Sequence, residues 1–239
     1  MPDAKKPKIP ITFLLHAGAT LIMISLLNWM IANYVPFSID KIQQSYLIFY
    51  YHFPAAISCS IFFLMVLVGS IQVLRTGSPA WDRRARVAGQ VGLVACTATL
   101  ATGSTWASAA WNTWWDWSDA RLMTAAIMWL TYAGYVLLHD QIDDPVKRRR
   151  YAAVYGVLAF VNIPLTKYAV EWFGKTSHPE KFFDSDSASV IAQTRWFGVI
   201  AFFSLYLLLY RWRLAREATK ERLETVLARV RRIEEGGSV

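Results

Sequence analysis

LIFYYHFPAAISCSIFFLMVLVGSIQVL, residues 47–74, is a run of 28 positions without one Asp, Glu, Lys or Arg. As a helix it would extend about 42 Å, whereas roughly 20 residues cross a hydrocarbon core. Residues 11–31 and 87–115 are also free of formal charge. Each is longer than the roughly 18–20 residues a span needs. Runs 122–138, 152–166 and 196–210 are shorter. They reach spanning length if Lys167, Arg195 and Arg211 snorkel to the interface. The chain is 55% hydrophobic and 18% charged, which is too little charge for a soluble domain of 239 residues. The expected fold is all-α: an integral membrane protein with a six-transmembrane helix bundle. Its spans fall near 11–33, 46–74, 87–105, 121–140, 151–170 and 191–212.

The charge pattern orients the bundle. Lys5, Lys6 and Lys8 precede the first span, and Arg75, Arg83, Arg84 and Arg86 follow the second. Lys147 to Arg150 follow the fourth, and eight more basic residues from Arg211 to Arg232 follow the sixth. Lys41, Arg121, Lys167, Lys175, Lys181 and Arg195 make up the remainder. This is a positive-inside bias, which places both termini in the cytoplasm. It accounts for the net charge of +8 without a nucleic-acid partner. The uncharged N-terminal run is longer than a signal-peptide core, so it reads as a retained span. Residues 1–212 then form the membrane domain and 213–239 a charged cytoplasmic tail. In that tail Leu223, Val226, Leu227, Val230 and Ile233 mark an amphipathic helix. It would lie on the membrane surface or dock a partner.

Within the spans, the third is rich in Gly, Ala, Ser and Thr and should sit centrally, since small residues let helices approach closely in lipid. Pro54 caps or kinks the second span. Asn162 and Pro164 weaken the fifth. Cys59 and Cys96 lie in apolar runs and read as buried free thiols rather than a disulfide framework.

Residues 103–122, GSTWASAAWNTWWDWSDARL, hold five of eleven tryptophans: Trp106, Trp111, Trp114, Trp115 and Trp117. Indoles anchor helices at the headgroup level, and a plain aromatic belt is one reading. Five in one connection also make a broad apolar platform with polar N–H edges, suited to a flat aromatic guest. The topology puts His52 and His178 on the same outer side as this run, and His16 and His139 in the inner half, where they read as incidental. Two imidazoles facing an aromatic platform could supply the two ligands of a haem iron; each is equally readable as an ordinary amphipathic residue at the interface. Haem propionates need cationic or N–H partners. Arg121 is the first candidate, with Lys167 and Arg195 behind it, although Arg121 could equally pair with Asp119. Glu171 and Asp119 are candidates to orient an imidazole N–H. No P-loop, GxSxG, HExxH or Cys–His zinc spacing occurs.

Four patterns in one order resemble the WWD family of haem-handling proteins of cytochrome c maturation, and within it the short haem exporter protein C (CcmC) group. They are Tyr51-His52-Phe53-Pro54-Ala55-Ala56, the run from Thr102 through Leu122, Asn162-Ile163-Pro164, and Val170-Glu171-Trp172 leading to His178. The chain departs from the family at Ser118, which separates Trp117 from Asp119, and in the spacing from Glu171 to His178. The resemblance implies a b-type, non-covalently held haem with bis-His ligation by His52 and His178. The haem would rest against the five tryptophans, with Asp119, Arg121, Glu171 and Trp172 around it. It implies a multi-pass protein of the bacterial inner membrane that is not itself an enzyme. Haem would pass to a periplasmic, membrane-anchored haem chaperone (CcmE-like), alongside ABC-type transporter subunits (CcmA/CcmB-like) and a small single-span protein (CcmD-like). Two other readings remain: a cytochrome c synthase, whose relatives are much longer, and a b-type electron carrier.

Overall fold

The computed structural model describes residues 10–35, 46–174 and 190–236. All regular secondary structure among the described residues is helical. In chain order they form α1 (Ile11–Tyr34), a 3-10 turn (Tyr46–Ile48), α2 (Phe49–Thr76), α3 (Pro79–Trp111), α4 (Ala120–Gln141), α5 (Pro145–Ala159), α6 (Asn162–Phe173) and α7 (Val190–Gly236). Taking α5 and α6 together, six helical segments are long and apolar enough to cross a membrane.

The boundaries follow local chemistry. Gly77 ends α2 with φ 65°, a left-handed conformation that costs glycine little. Pro79 then starts α3 at a position where its missing N–H has no intrahelical acceptor to lose. Asp144 caps α5 by accepting from the N–H groups of Val146 at 2.8 Å and Lys147 at 2.9 Å. Those bonds, that from Lys147 foremost, hold its carboxyl below the usual carboxylate range.

Two spans differ from the sequence expectation. The third was expected over about 87–105, yet α3 runs 33 residues to Trp111. That is about 50 Å and longer than a hydrocarbon core. The small residues that suit close packing continue through Ala107 to Ala110 and keep the helix going. Trp106 and Trp111 therefore belong to a helix, and only residues 112–119 form the connection to α4.

The fifth span is two helices. Pro164 has no N–H to give the Phe160 carbonyl, which accepts instead from Ile163 at 3.0 Å. The Asn162 side chain donates to the Ala159 carbonyl at 3.0 Å. The freed backbone groups are thus satisfied inside the chain, as an apolar surrounding requires. The sixth span and residues 213–236 form one unbroken helix.

α2 and α3 pack together most extensively, and α4, α5 and α7 surround them. α1 packs on α7, where His16 bonds Ser204 at 3.2 Å and Arg211 at 3.0 Å. That pairing accounts for His16. At the centre Phe62, Phe63 and Val66 of α2 meet Val87, Ala88 and Val91 of α3. Phe63 stacks on Tyr132 of α4 with ring centroids 3.4 Å apart. Gly92 makes room for this pair, because a Cβ there would lie 2.6 Å from the Phe63 ring. Lipid gives helices no hydrophobic reason to associate, so such close packing carries the association. Gly92→Val is expected to cost about 1–3 kcal/mol through overpacking. A lowered thermal midpoint in detergent, with the helical content retained before the transition, checks this.

Candidate functional site

At the tryptophan-rich end of the bundle, α2, α3, α4 and α6 surround a cavity of about 820 Å³, its open mouth included. α2 contributes His52, Ala56 and Cys59, and α3 contributes Cys96, Gly103, Ala107 and Trp111. α4 supplies Arg121, Leu122, Ala125 and Met128. Trp115 from the connection and Thr166 from α6 complete the wall. Seven residues separate His52 from Cys59, Cys96 from Gly103, and Arg121 from Met128, which is two helical turns or about 10 Å. The cavity therefore has a rim at His52, Gly103 and Arg121 and a floor at Cys59, Cys96 and Met128. Both cysteines are buried free thiols in contact with each other.

His52 sits in the first turn of α2 and crosses to α3, where its Nδ1 lies 3.0 Å from the Thr102 hydroxyl. That hydroxyl already donates to the Ala98 carbonyl at 2.7 Å. With the hydroxyl proton on that carbonyl, its oxygen can accept from the imidazole, the tautomer that leaves the lone pair on Nε2. A hydrogen bond of this kind fixes the tautomer and ring orientation of a metal-ligating histidine. Gly103 lets the ring lie against α3, since a Cβ there would stand 3.1 Å from the His52 Cε1. Thr102→Val removes the acceptor and leaves the backbone unchanged.

The tryptophans do not form one sheet. Trp106 is buried with its ring 5.1 Å from that of Trp111, which lines the cavity. Trp115 also lines it, 6.0 Å from Trp117. Trp114 and Trp117 are 64% and 77% exposed and stand outside the lining. The split follows from the end of α3: Asn112 takes φ 55° and turns the chain out of the helix. Asp116 then closes a tight turn by accepting from the Ser118 N–H at 2.8 Å and its hydroxyl. Ser118, the residue that departs from the family spacing, is the donor of that turn.

Asp119 is fully buried and caps α4, accepting from the N–H groups of Arg121 at 2.9 Å and Leu122 at 3.1 Å. Its carboxylate sets where α4 starts and so where Arg121 meets the rim. Asp119→Ala is expected to cost about 1–2 kcal/mol, with Asp119→Asn near wild type, measured by thermal unfolding. Arg121 is the one charged side chain on the cavity wall among the described residues. Lys167 is exposed beside the Tyr168 ring, and Arg195 is buried beside Trp196; neither is on the wall. Glu171 and Trp172 are exposed at the end of α6, with Trp172 stacked on Tyr168. His178 lies outside the described residues.

The cavity wall fits a flat apolar guest with a polar edge. It is mostly aliphatic and aromatic, with one cation at the rim. The Trp115 Nε1 and the Thr166 hydroxyl are buried and have no hydrogen-bond partner among the described residues, so both have bonding capacity to give a bound molecule. Thr166 was missed by the sequence reading. The only signal for it was its place two residues after Pro164, where the break re-aims α6.

Residues 6–231 match the family described as Heme exporter protein C, CcmC. The chain is 27% identical to the Heme exporter protein C of Paracoccus denitrificans over 93% of this chain and 96% of that protein. It is 28% identical to that of Rhodobacter capsulatus, over 77% of each. For the Bradyrhizobium diazoefficiens protein the identity is 29%, over 55% of this chain and 50% of the relative.

Proposed function

This chain belongs to the haem exporter protein C family, and on that premise we propose that its rim cavity holds haem at the outer face of the bacterial inner membrane and releases it for cytochrome c maturation. Six spanning helices in a member of this family make it a multi-pass membrane protein concerned with haem transport. One observation carries the reading: His52, hydrogen-bonded to Thr102, lines an apolar cavity whose one cation among the described residues is Arg121.

In this reading haem is the cargo. The Nε2 lone pair of His52 is the protein's ligand to iron, and His178 supplies the second. Arg121 neutralises a propionate at the rim, while Trp111 and Trp115 cover the ring face. Cys59, Cys96 and Met128 form the soft apolar floor. Glu171 and Trp172 belong to the approach rather than the wall, and so do Trp114 and Trp117. The exposed indoles suit a docking surface for the periplasmic, membrane-anchored haem chaperone. The ABC-type subunits and the small single-span protein complete the assembly. Both termini face the cytoplasm, and the tail from residue 213 extends into it.

The chain itself forms no bond to the porphyrin carbon skeleton, so its role is delivery rather than catalysis. Co-expression with the chaperone is expected to give haem-loaded chaperone, and co-expression with an apocytochrome alone to give no holocytochrome. Holocytochrome formed without the chaperone would make this protein a synthase instead.

A further inference from the structure

At the end of the bundle away from the tryptophan run, a groove of about 590 Å³ lies between α2, the start of α3 and α7. Ile61, Leu64, Met65 and Val68 recur at three- and four-residue steps and form an apolar strip along α2. Leu64 and Val68 are exposed, so in a spanning helix they face lipid. Trp81 and Arg84 of α3 and Tyr210 of α7 complete the wall. Gly69 packs on Ala85, where a Cβ on the glycine would stand 2.8 Å from that of the alanine. Val68 is therefore level with the Arg84 backbone, and Ile61 lies two turns, about 10 Å, deeper. Side chains lean toward the N-terminus of their helix, so Arg84 reaches to the shallow end of the groove. There its guanidinium lies 4.7 Å from the centre of the Trp81 ring and within electrostatic reach of the Tyr210 hydroxyl. An indole favours the headgroup level, which sets the depth of this charge.

We propose that the groove holds an acyl chain of an anionic phospholipid, with the lipid phosphate on Arg84. The carboxylates nearest in the chain are turned elsewhere: Glu221 pairs with Arg83, and Asp82 faces Arg86, Arg148 and Arg149. Arg84 is exposed and has no ion pair among the described residues. Stacking on Trp81 steadies the guanidinium and leaves its N–H edge free for phosphate. No carboxylate stands on the wall to receive a choline-type ammonium, so the charge favours a headgroup that is negative overall. A partner helix fits poorly. Helices associate in lipid through small residues that let backbones approach, and every side chain on this wall is large. This site is independent of the haem reading.

The test uses the full chain in nanodiscs of mixed phosphatidylglycerol and phosphatidylcholine, with retained lipid identified by native mass spectrometry. Selective retention of phosphatidylglycerol is expected for the wild type. Arg84→Gln should lower that retention by about tenfold or more, since it removes a hydrogen-bonded charge from the phosphate. Val68→Trp fills the groove and should expel the lipid; Arg84→Gln decides the matter if the tryptophan variant folds poorly. Arg75 is exposed at the same end and off the wall, so Arg75→Gln should retain lipid as the wild type does. A photo-crosslinking residue in place of Leu64 is expected to label phospholipid in native membranes. Equal retention of both lipids by the wild type, unchanged retention in folded Arg84→Gln, or an equal fall in Arg75→Gln would overturn the proposal. Crosslinking from position 64 to another protein or to a second copy of this chain would overturn it as well.

Discussion

His52→Ala is expected to lower the haem co-purified from a haem-replete host by more than tenfold, with no change in helical content or yield. The effect is large because His52 does more than touch the guest. It is the one histidine on the cavity wall among the described residues, and its ring is held by Thr102 and by the space above Gly103. Losing a hydrogen bond behind a metal ligand already costs 10–100-fold in affinity; losing the ligand costs more. The fold should survive, since the ring sits at the rim and the core lies two turns and more deeper, at Phe62, Phe63 and Val66. Imidazole added to a His52→Gly variant should restore part of the haem. Unchanged haem content in His52→Ala would show that iron is held elsewhere.

The second large effect is expected at Gly103. A Cβ there stands 3.1 Å from the His52 Cε1, a distance the ring can relieve by shifting a few tenths of an ångström. Gly103→Ala should therefore reduce haem only modestly. Gly103→Leu adds three more carbons on the wall of the cavity, where His52 must otherwise lie. It pushes the ring off Thr102 and fills space the porphyrin needs, and a loss of more than tenfold is expected. Helix propensity runs the other way, since leucine is better than glycine in a helix interior by roughly 0.5–1 kcal/mol. A thermal midpoint at or above wild type, together with lost haem, separates a blocked site from a broken fold. Full haem content in Gly103→Leu would mean that the ring and the cavity are not used together.

What could be read from the sequence depended on how local the cause was. Charge-free runs set the six spans, and Pro164 marks the weak point of the fifth, because each acts on its own backbone. His52 and Arg121 could be singled out as residue types suited to iron and propionate, and both stand on one cavity wall. The path of the tryptophan run could not be read. Whether α3 stopped at residue 105 or at 111 turned on Ala107, Ser108, Ala109 and Ala110, whose helix preference carries α3 past the length a hydrocarbon core needs. That choice buried Trp106 and sent Trp114 and Trp117 outward. Thr102, Gly103 and Thr166 were equally hidden, because their roles come from neighbours 50 or more positions away or from the direction of a broken helix. His139 looked incidental in the sequence; its burial, with no hydrogen-bond partner among the described residues, is a property of the packing around it.

We propose that iron is held by His52 from α2 together with His178. The most direct measurement is the electron paramagnetic resonance spectrum of the ferric haem-loaded protein, compared with His52→Ala and His178→Ala loaded with excess haem. The account predicts a low-spin, six-coordinate signal for the wild type and a shift to high-spin iron in each variant. A low-spin signal that persists unchanged in both variants would contradict it.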